Sequence, residues 1–250
     1  MMAVSAIATN TFRETVRDRI LYAIVVFALL ATLSGLLFGS LSVDQDVRVL
    51  EDLGLFTITI FGGLISVFVG TNIVFKEIDR RTIFLIVTKP INRWEFVTGK
   101  FLGLAMCTFV TNFAMGVFLL GVVAFQTGNF NASLPMLYSL SLIYVELLLV
   151  IAMAIFFSTC ATPLMSMVFT LSLWVTAHLG SSLLALGKLS TSALVQFTSS
   201  LIYYCMPDLA TLTLMRGDIL DGRYPNLSFL GYILAYVVAY CALLLTCSTL

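Results

Sequence analysis

Charge is the scarcest property of this chain. Asp, Glu, Lys and Arg make up 10% of its 250 residues, where a soluble domain carries about 25%. That deficit excludes an ordinary soluble globule. Thirteen basic and thirteen acidic residues cancel to a formal net charge of zero, so no global field draws nucleic acid. Histidine occurs once, as His178. The five cysteines form no CxxC or Cys/His spacing, which argues against a zinc site or a disulfide framework. They read as small apolar fillers. No GxxxxGK[ST] occurs, and neither Gly99-Lys100 nor Gly187-Lys188 has the upstream glycine that a P-loop needs. The chain should therefore hydrolyse no ATP and hold no cofactor of its own. HExxH, GxSxG and paired Asp motifs inside an apolar run are also missing, against an intramembrane hydrolase.

What the chain has is long apolar runs: 60% of it is hydrophobic, with a mean hydropathy of +1.06. A bilayer core of ~30 Å needs about 20 such residues in a helix. Six runs qualify, at 20–41, 53–75, 101–125, 135–158, 164–186 and 229–250. The expected fold is an all-α membrane protein with one transmembrane domain, residues 1–250. The first run exceeds the ~7–15 residues of a signal-peptide core and is expected to be a retained helix. With six spans both ends share a side. Nine Lys/Arg fall on that side, in the first 19 residues and in 76–100. Four fall on the other, Arg48, Lys188, Arg216 and Arg223. The positive-inside rule then puts both termini in the cytoplasm.

Val4, Ala8, Phe12 and Val16 recur every fourth residue, with Arg13, Glu14, Arg17 and Asp18 elsewhere. That period predicts an amphipathic helix lying in the headgroup plane. The segment from Phe75 to Lys100 holds six of the thirteen Lys/Arg and three of the thirteen Asp/Glu. It reads as helix, break at Pro90, then helix again. Asn92 and Glu95 have capping-box spacing and predict a helix start near Arg93. Trp94 and Lys100 suit headgroup depth. A bare connection would need about five residues, so this elbow reads as a docking surface. Glu77, Asp79, Arg80 and Arg81, followed by Ile83 and Phe84, would form a knob for a partner's groove.

Polar groups within the runs are few. Glu146 lies midway along the fourth, where a carboxylate is expensive. It is either a gate or relay, or a neutral acid bonded to a neighbouring helix. Asn72 and Asn112 are expected to bond across helices, with pore lining as the alternative. His178 reads as a packed residue near the outer end of its span. Gly62, Gly63 and Gly70 invite close helix packing, with a dimer seam as one use.

The sequence resembles a known family, the six-span permease subunits of ABC-2 type ATP-driven transporters. The resemblance is carried by Lys76-Glu77-Ile78-Asp79-Arg80-Arg81-Thr82, by Thr88-Lys89-Pro90-Ile91-Asn92-Arg93-Trp94-Glu95-Phe96 and by Gly99-Lys100-Phe101. Phe157-Ser158-Thr159 with Pro163, and Met206-Pro207-Asp208-Leu209, follow in the expected order. The resemblance implies an exporter in the inner membrane whose path is formed by two permease copies. Two separate ATP-binding subunits, carrying ATP and Mg, would dock on the cytoplasmic side. It implies that Lys76, Glu77, Arg80, Arg81 and Thr82 belong to a coupling helix, with Pro90, Arg93 and Lys100 just after it. Short helices dipping into the membrane would fill the long outer loop. Membrane lipids, and a periplasmic accessory protein, are the remaining candidate partners. Few buried charges favour an amphiphilic or apolar cargo. The departure from the pattern is the end, Ser248-Thr249-Leu250, where such permeases often continue into a basic tail. The rival reading is a secondary transporter or channel driven by an ion gradient, which predicts several ionisable groups at mid-membrane.

Overall fold

The computed structural model describes residues 2–39, 46–79, 92–128, 133–190 and 192–249. These residues form nine helices and no strand. In chain order they are α1 (Met2–Val16), α2 (Arg19–Gly39), α3 (Asp46–Asp79), α4 (Arg93–Thr127), α5 (Ser133–Cys160), α6 (Pro163–Leu189), α7 (Ala193–Cys205), α8 (Leu209–Leu220) and α9 (Leu227–Thr249). Among the described residues five helices, α3, α4, α5, α6 and α9, are long and apolar enough to cross a membrane. The first expected span is the apolar helix α2, whose qualifying stretch, Arg19–Gly35, is shorter. Five candidate spans plus one shorter apolar helix thus stand where six spans were expected.

Local sequence sets the helix ends. Asn92 is extended (φ −70°, ψ 146°) and its backbone N–H donates to Glu95 Oε2 at 3.2 Å, so α4 starts at Arg93 as the spacing predicts. Gly128 ends it in the left-handed region at φ 64°, which only glycine adopts without strain. Pro163 opens α6 at a position where a missing N–H is harmless. Asp208 caps α8: Oδ1 accepts from the Thr211 N–H at 3.1 Å and Oδ2 from the Thr211 hydroxyl at 2.6 Å.

The middle of the molecule is α5. It touches α3, α4, α6, α8 and α9, and Leu147 and the run from Leu149 to Ala154 are fully buried. Helices in lipid gain little from water exclusion, so close packing must hold them. Glycines on α3 supply it. A Cβ on Gly62 would sit 2.8 Å from Leu147, one on Gly63 2.4 Å from the Trp174 ring and one on Gly70 2.9 Å from Ala154. All three therefore face inside this chain, and the idea of a dimer seam along them is corrected.

The first helix buries the stripe Ala8, Thr11 and Thr15 and exposes Arg13, and Arg17 is exposed just past its end. It packs on α4, with the carbonyl of Ala8 and the side chain of Thr11 against Gly103. Lys100 lies on α4 three residues before Gly103. It is buried, with its ammonium 5.7 Å over the Phe96 ring. Trp94 is exposed.

The packing of α1 makes a testable demand. A Cβ at position 103 would meet the Ala8 carbonyl and Thr11 at 2.6 Å, whereas one at Gly121 meets nothing within 4 Å. Gly103→Ala should destabilise the protein by ~1–3 kcal/mol and lower its thermal midpoint in detergent. Gly121→Ala should be neutral, or stabilising by up to ~1 kcal/mol.

Candidate functional site

Glu146 is the residue from which the site is built. It lies at the middle of α5 and is 0% exposed. A lone carboxylate there would cost many kcal/mol, so it must have partners. The structure supplies three, from two other helices. Arg216 of α8 places NH2 3.2 Å from Oε2. Trp174 of α6 donates its indole N–H to Oε1 at 3.2 Å. His178, one turn further along α6, has Nε2 3.1 Å from the same oxygen. Its Nδ1 lies 3.1 Å from the Trp174 carbonyl, and the two rings meet edge to face.

Arg216 is satisfied on its other side too. NH1 donates to the Thr59 hydroxyl of α3, and NH2 donates to the Thr213 hydroxyl at 2.8 Å. Thr59 in turn donates to the Leu55 carbonyl at 2.8 Å. The cluster therefore joins α3, α5, α6 and α8. A second clasp holds the far end of α8. Arg48 of α3 pairs with Asp52 at 3.4 Å and Asp221 at 2.9 Å, and donates to the Gly217 carbonyl at 3.3 Å. Helix α8 is only 12 residues long, about 18 Å, and these contacts set its depth.

Above the cluster opens a cavity of about 600 Å³ between α3, α6 and α8. Leu55, Phe56, Ile60, Val175, Leu179 and Leu220 make its apolar wall, and Thr59, His178, Thr213 and Arg216 its polar floor. Asp52 also lines it.

The other residues singled out from the sequence lie elsewhere. Lys76, Glu77 and Asp79 are in the last turns of α3. Arg80, Arg81, Thr82, Ile83, Phe84 and Pro90 lie outside the described residues. Arg93 is exposed at the start of α4. Asn72 is half-buried on α3. Asn112 is buried on α4 and donates to the Leu140 carbonyl of α5 at 3.1 Å, while its Oδ1 has no partner among the described residues. The cavity gathers none of these.

Two sequence expectations are corrected. The charge tally puts Arg216 on the outer side, whereas the structure has it 7% exposed and bonded to Glu146 at the middle of α5. His178 was placed near the outer end of its span, but it reaches the same level, through Glu146. The sequence did carry signals for both. Arg216 is the lone charge in Leu209–Met215 and the residue after it, three residues after Thr213. Trp174 and His178 stand four apart on one helical face.

A family model described as ABC-2 family transporter protein matches residues 5–249, nearly the whole chain. No curated protein matches it.

The cluster's energetics are testable without a function. Arg216→Met removes the guanidinium that Glu146, Thr59 and Thr213 share, leaves Glu146 Oε2 unmatched in the interior and should destabilise the protein by ~1–3 kcal/mol. Replacing the pair together, Glu146→Leu with Arg216→Met, should recover only part of that loss, because Trp174 and His178 then lose their acceptor. A double-mutant cycle of detergent unfolding measures both.

Proposed function

We propose what this chain does from one premise: it belongs to the ABC-2 family of transporter proteins. It is a multi-pass membrane permease, a transport component rather than a catalyst. In our reading it is the membrane-spanning subunit of an ATP-driven exporter. Two copies form the path in the inner membrane, and two separate ATP-binding subunits bind ATP and Mg and drive it. Six spans, with α2 as the first, put both termini in the cytoplasm. Moving Arg216 from the outer tally into the interior sharpens the bias of Lys and Arg that supports this orientation.

The observation that carries the reading is the family match over residues 5–249 in a chain with no P-loop of its own. A transporter of that family without a nucleotide site needs its motor from another chain. The charged stretch from Lys76 to Arg93 is the docking surface we assign to it. Glu77, Asp79, Arg80 and Arg81 would pair with the motor, and Thr82, Ile83 and Phe84 would seat in its groove. Helix α1 would rest in the headgroup plane and brace α4. A periplasmic accessory protein is a further partner. Tilting of the spans as the motor closes would open the path, with Asn72, Asn112 and Glu146 as candidate path or gate residues.

One observation favours the gradient-driven rival: Glu146, His178 and Arg216 place three ionisable groups together at mid-helix, as such carriers require. Affinity purification from native membranes in mild detergent separates the two. The exporter reading predicts a stoichiometric ATP-hydrolysing subunit. Glu77→Lys, or Arg80→Glu with Arg81→Glu, should weaken its recovery at least about tenfold while membrane insertion is unchanged. Recovery of this chain with no nucleotide-binding partner would favour the gradient-driven carrier.

A further inference from the structure

His178 presents both ring nitrogens to acceptors. Nδ1 faces the Trp174 carbonyl and Nε2 faces Glu146 Oε1, each at 3.1 Å. With both contacts taken as hydrogen bonds, Nδ1 carries the proton toward Trp174, because a carbonyl oxygen only accepts. A neutral imidazole then has a bare Nε2, which cannot bond an ionised carboxylate. The second bond needs one more proton, on the imidazole or on Glu146. Either way the His178–Glu146 pair sums to zero charge. Arg216 stays a cation in proteins. The remaining members, Trp174, Thr59 and Thr213, add no charge. The cluster therefore carries a net charge of about +1 by this count of donors and acceptors.

That charge borders the apolar cavity. At about 600 Å³ the cavity falls within the ~300–1,000 Å³ of small-molecule sites. A net charge facing a low-dielectric space calls for a counter-charge. Among the described residues none supplies one at the floor. Asp52 is the acidic residue in the lining, but it lies two turns from Thr59 along α3, roughly 10 Å, and is paired with Arg48. Helix α7, also packed on α6, has no charged residue, and its Tyr203 lies against Gly180. Among the described residues, Glu146 from α5 and Arg216 from α8 complete the charged groups that face His178.

We propose that this cavity binds an amphiphile with an apolar body and one anionic group, the anion resting on His178 and Arg216. Calling that occupant cargo rests on the permease reading above; the site does not. Raising the pH removes the extra proton, takes the cluster from +1 to zero and weakens anion binding. The loss therefore comes on the alkaline side.

The chain holds two tryptophans, and Trp94 is exposed at the far start of α4. Trp94→Phe leaves Trp174 of the cavity as a sole reporter. In phosphatidylcholine nanodiscs without nucleotide, its fluorescence is quenched with three brominated alkyl probes of one chain length: a sulfonate, an alcohol and a trimethylammonium. The sulfonate, which does not titrate, should bind saturably and on the order of tenfold tighter than the alcohol. The trimethylammonium should bind weakest. High pH should erase the sulfonate's preference in the unchanged cluster. His178→Gln leaves Glu146 and Arg216 to cancel and should erase it at neutral pH. Adding Glu146→Gln restores the net cation and should restore the preference, a reversal that mere structural damage would not give. Unchanged quenching by the alcohol reports an intact cavity in each variant.

Equal binding of sulfonate and trimethylammonium to the cavity of the unsubstituted cluster overturns the proposal, and so does a preference that survives His178→Gln. Competition by phosphatidylglycerol would assign the site to a bilayer lipid, and its absence to a single-chain cargo; both uphold an anionic occupant. These measurements use the chain without an ATPase, so their failure is distinct from failure to find one.

Discussion

The contact between Glu146 and Arg216 is the constraint on which the rest of the structure depends. Each ion alone would be excluded from the interior of an apolar bundle, because desolvation costs several kcal/mol per charge. Together they are tolerated only if every remaining donor and acceptor is also met. That condition recruits Trp174 and His178 on one oxygen, and Thr59 and Thr213 on the guanidinium. Four helices are then fixed by one charge pair. Helix α8, too short to cross a bilayer, is held level with the middle of α5 because its arginine must reach the carboxylate. The cavity is the space left between α3, α6 and α8 once α8 is pinned there.

Close packing makes that geometry possible. Trp174 reaches Glu146 across the bare backbone of Gly63, and Leu147, next to Glu146, occupies the space over Gly62. The small residues of α3 and the carboxylate of α5 thus serve one arrangement: the glycines let the helices approach, and the hydrogen bonds fix their register. The family places this arrangement in a transporter.

Much of the fold was legible in the sequence because the signals are local. The Asn92 and Glu95 spacing and the four-residue period of α1 each act within one or two turns, and each marks a helix or a helix start found in the structure. The apolar runs identified the long helices, though not the extension of α3 to Asp46 and Asp79. The site was only half legible. Glu146 stood out because charge in an apolar run is costly wherever the run lies. Arg216 did not, since a charge in a short helix between spans reads as surface, and only the docking of α8 against α5 reveals its depth. The sequence distance from Glu146 to Arg216 is 70 residues, and no local pattern carries a pairing of that range. The stretch assigned to motor docking lies largely outside the described residues.

The central claim is that the pair of His178 and Glu146 holds one proton more than a neutral imidazole and a carboxylate would. His178 is the sole histidine, so ¹⁵N-histidine labelling reports on it alone. Nitrogen NMR of the protein in nanodiscs at neutral pH should find Nδ1 protonated and Nε2 in contact with a proton, its own or one shared with Glu146. A free, bare imine nitrogen at either position would contradict the account.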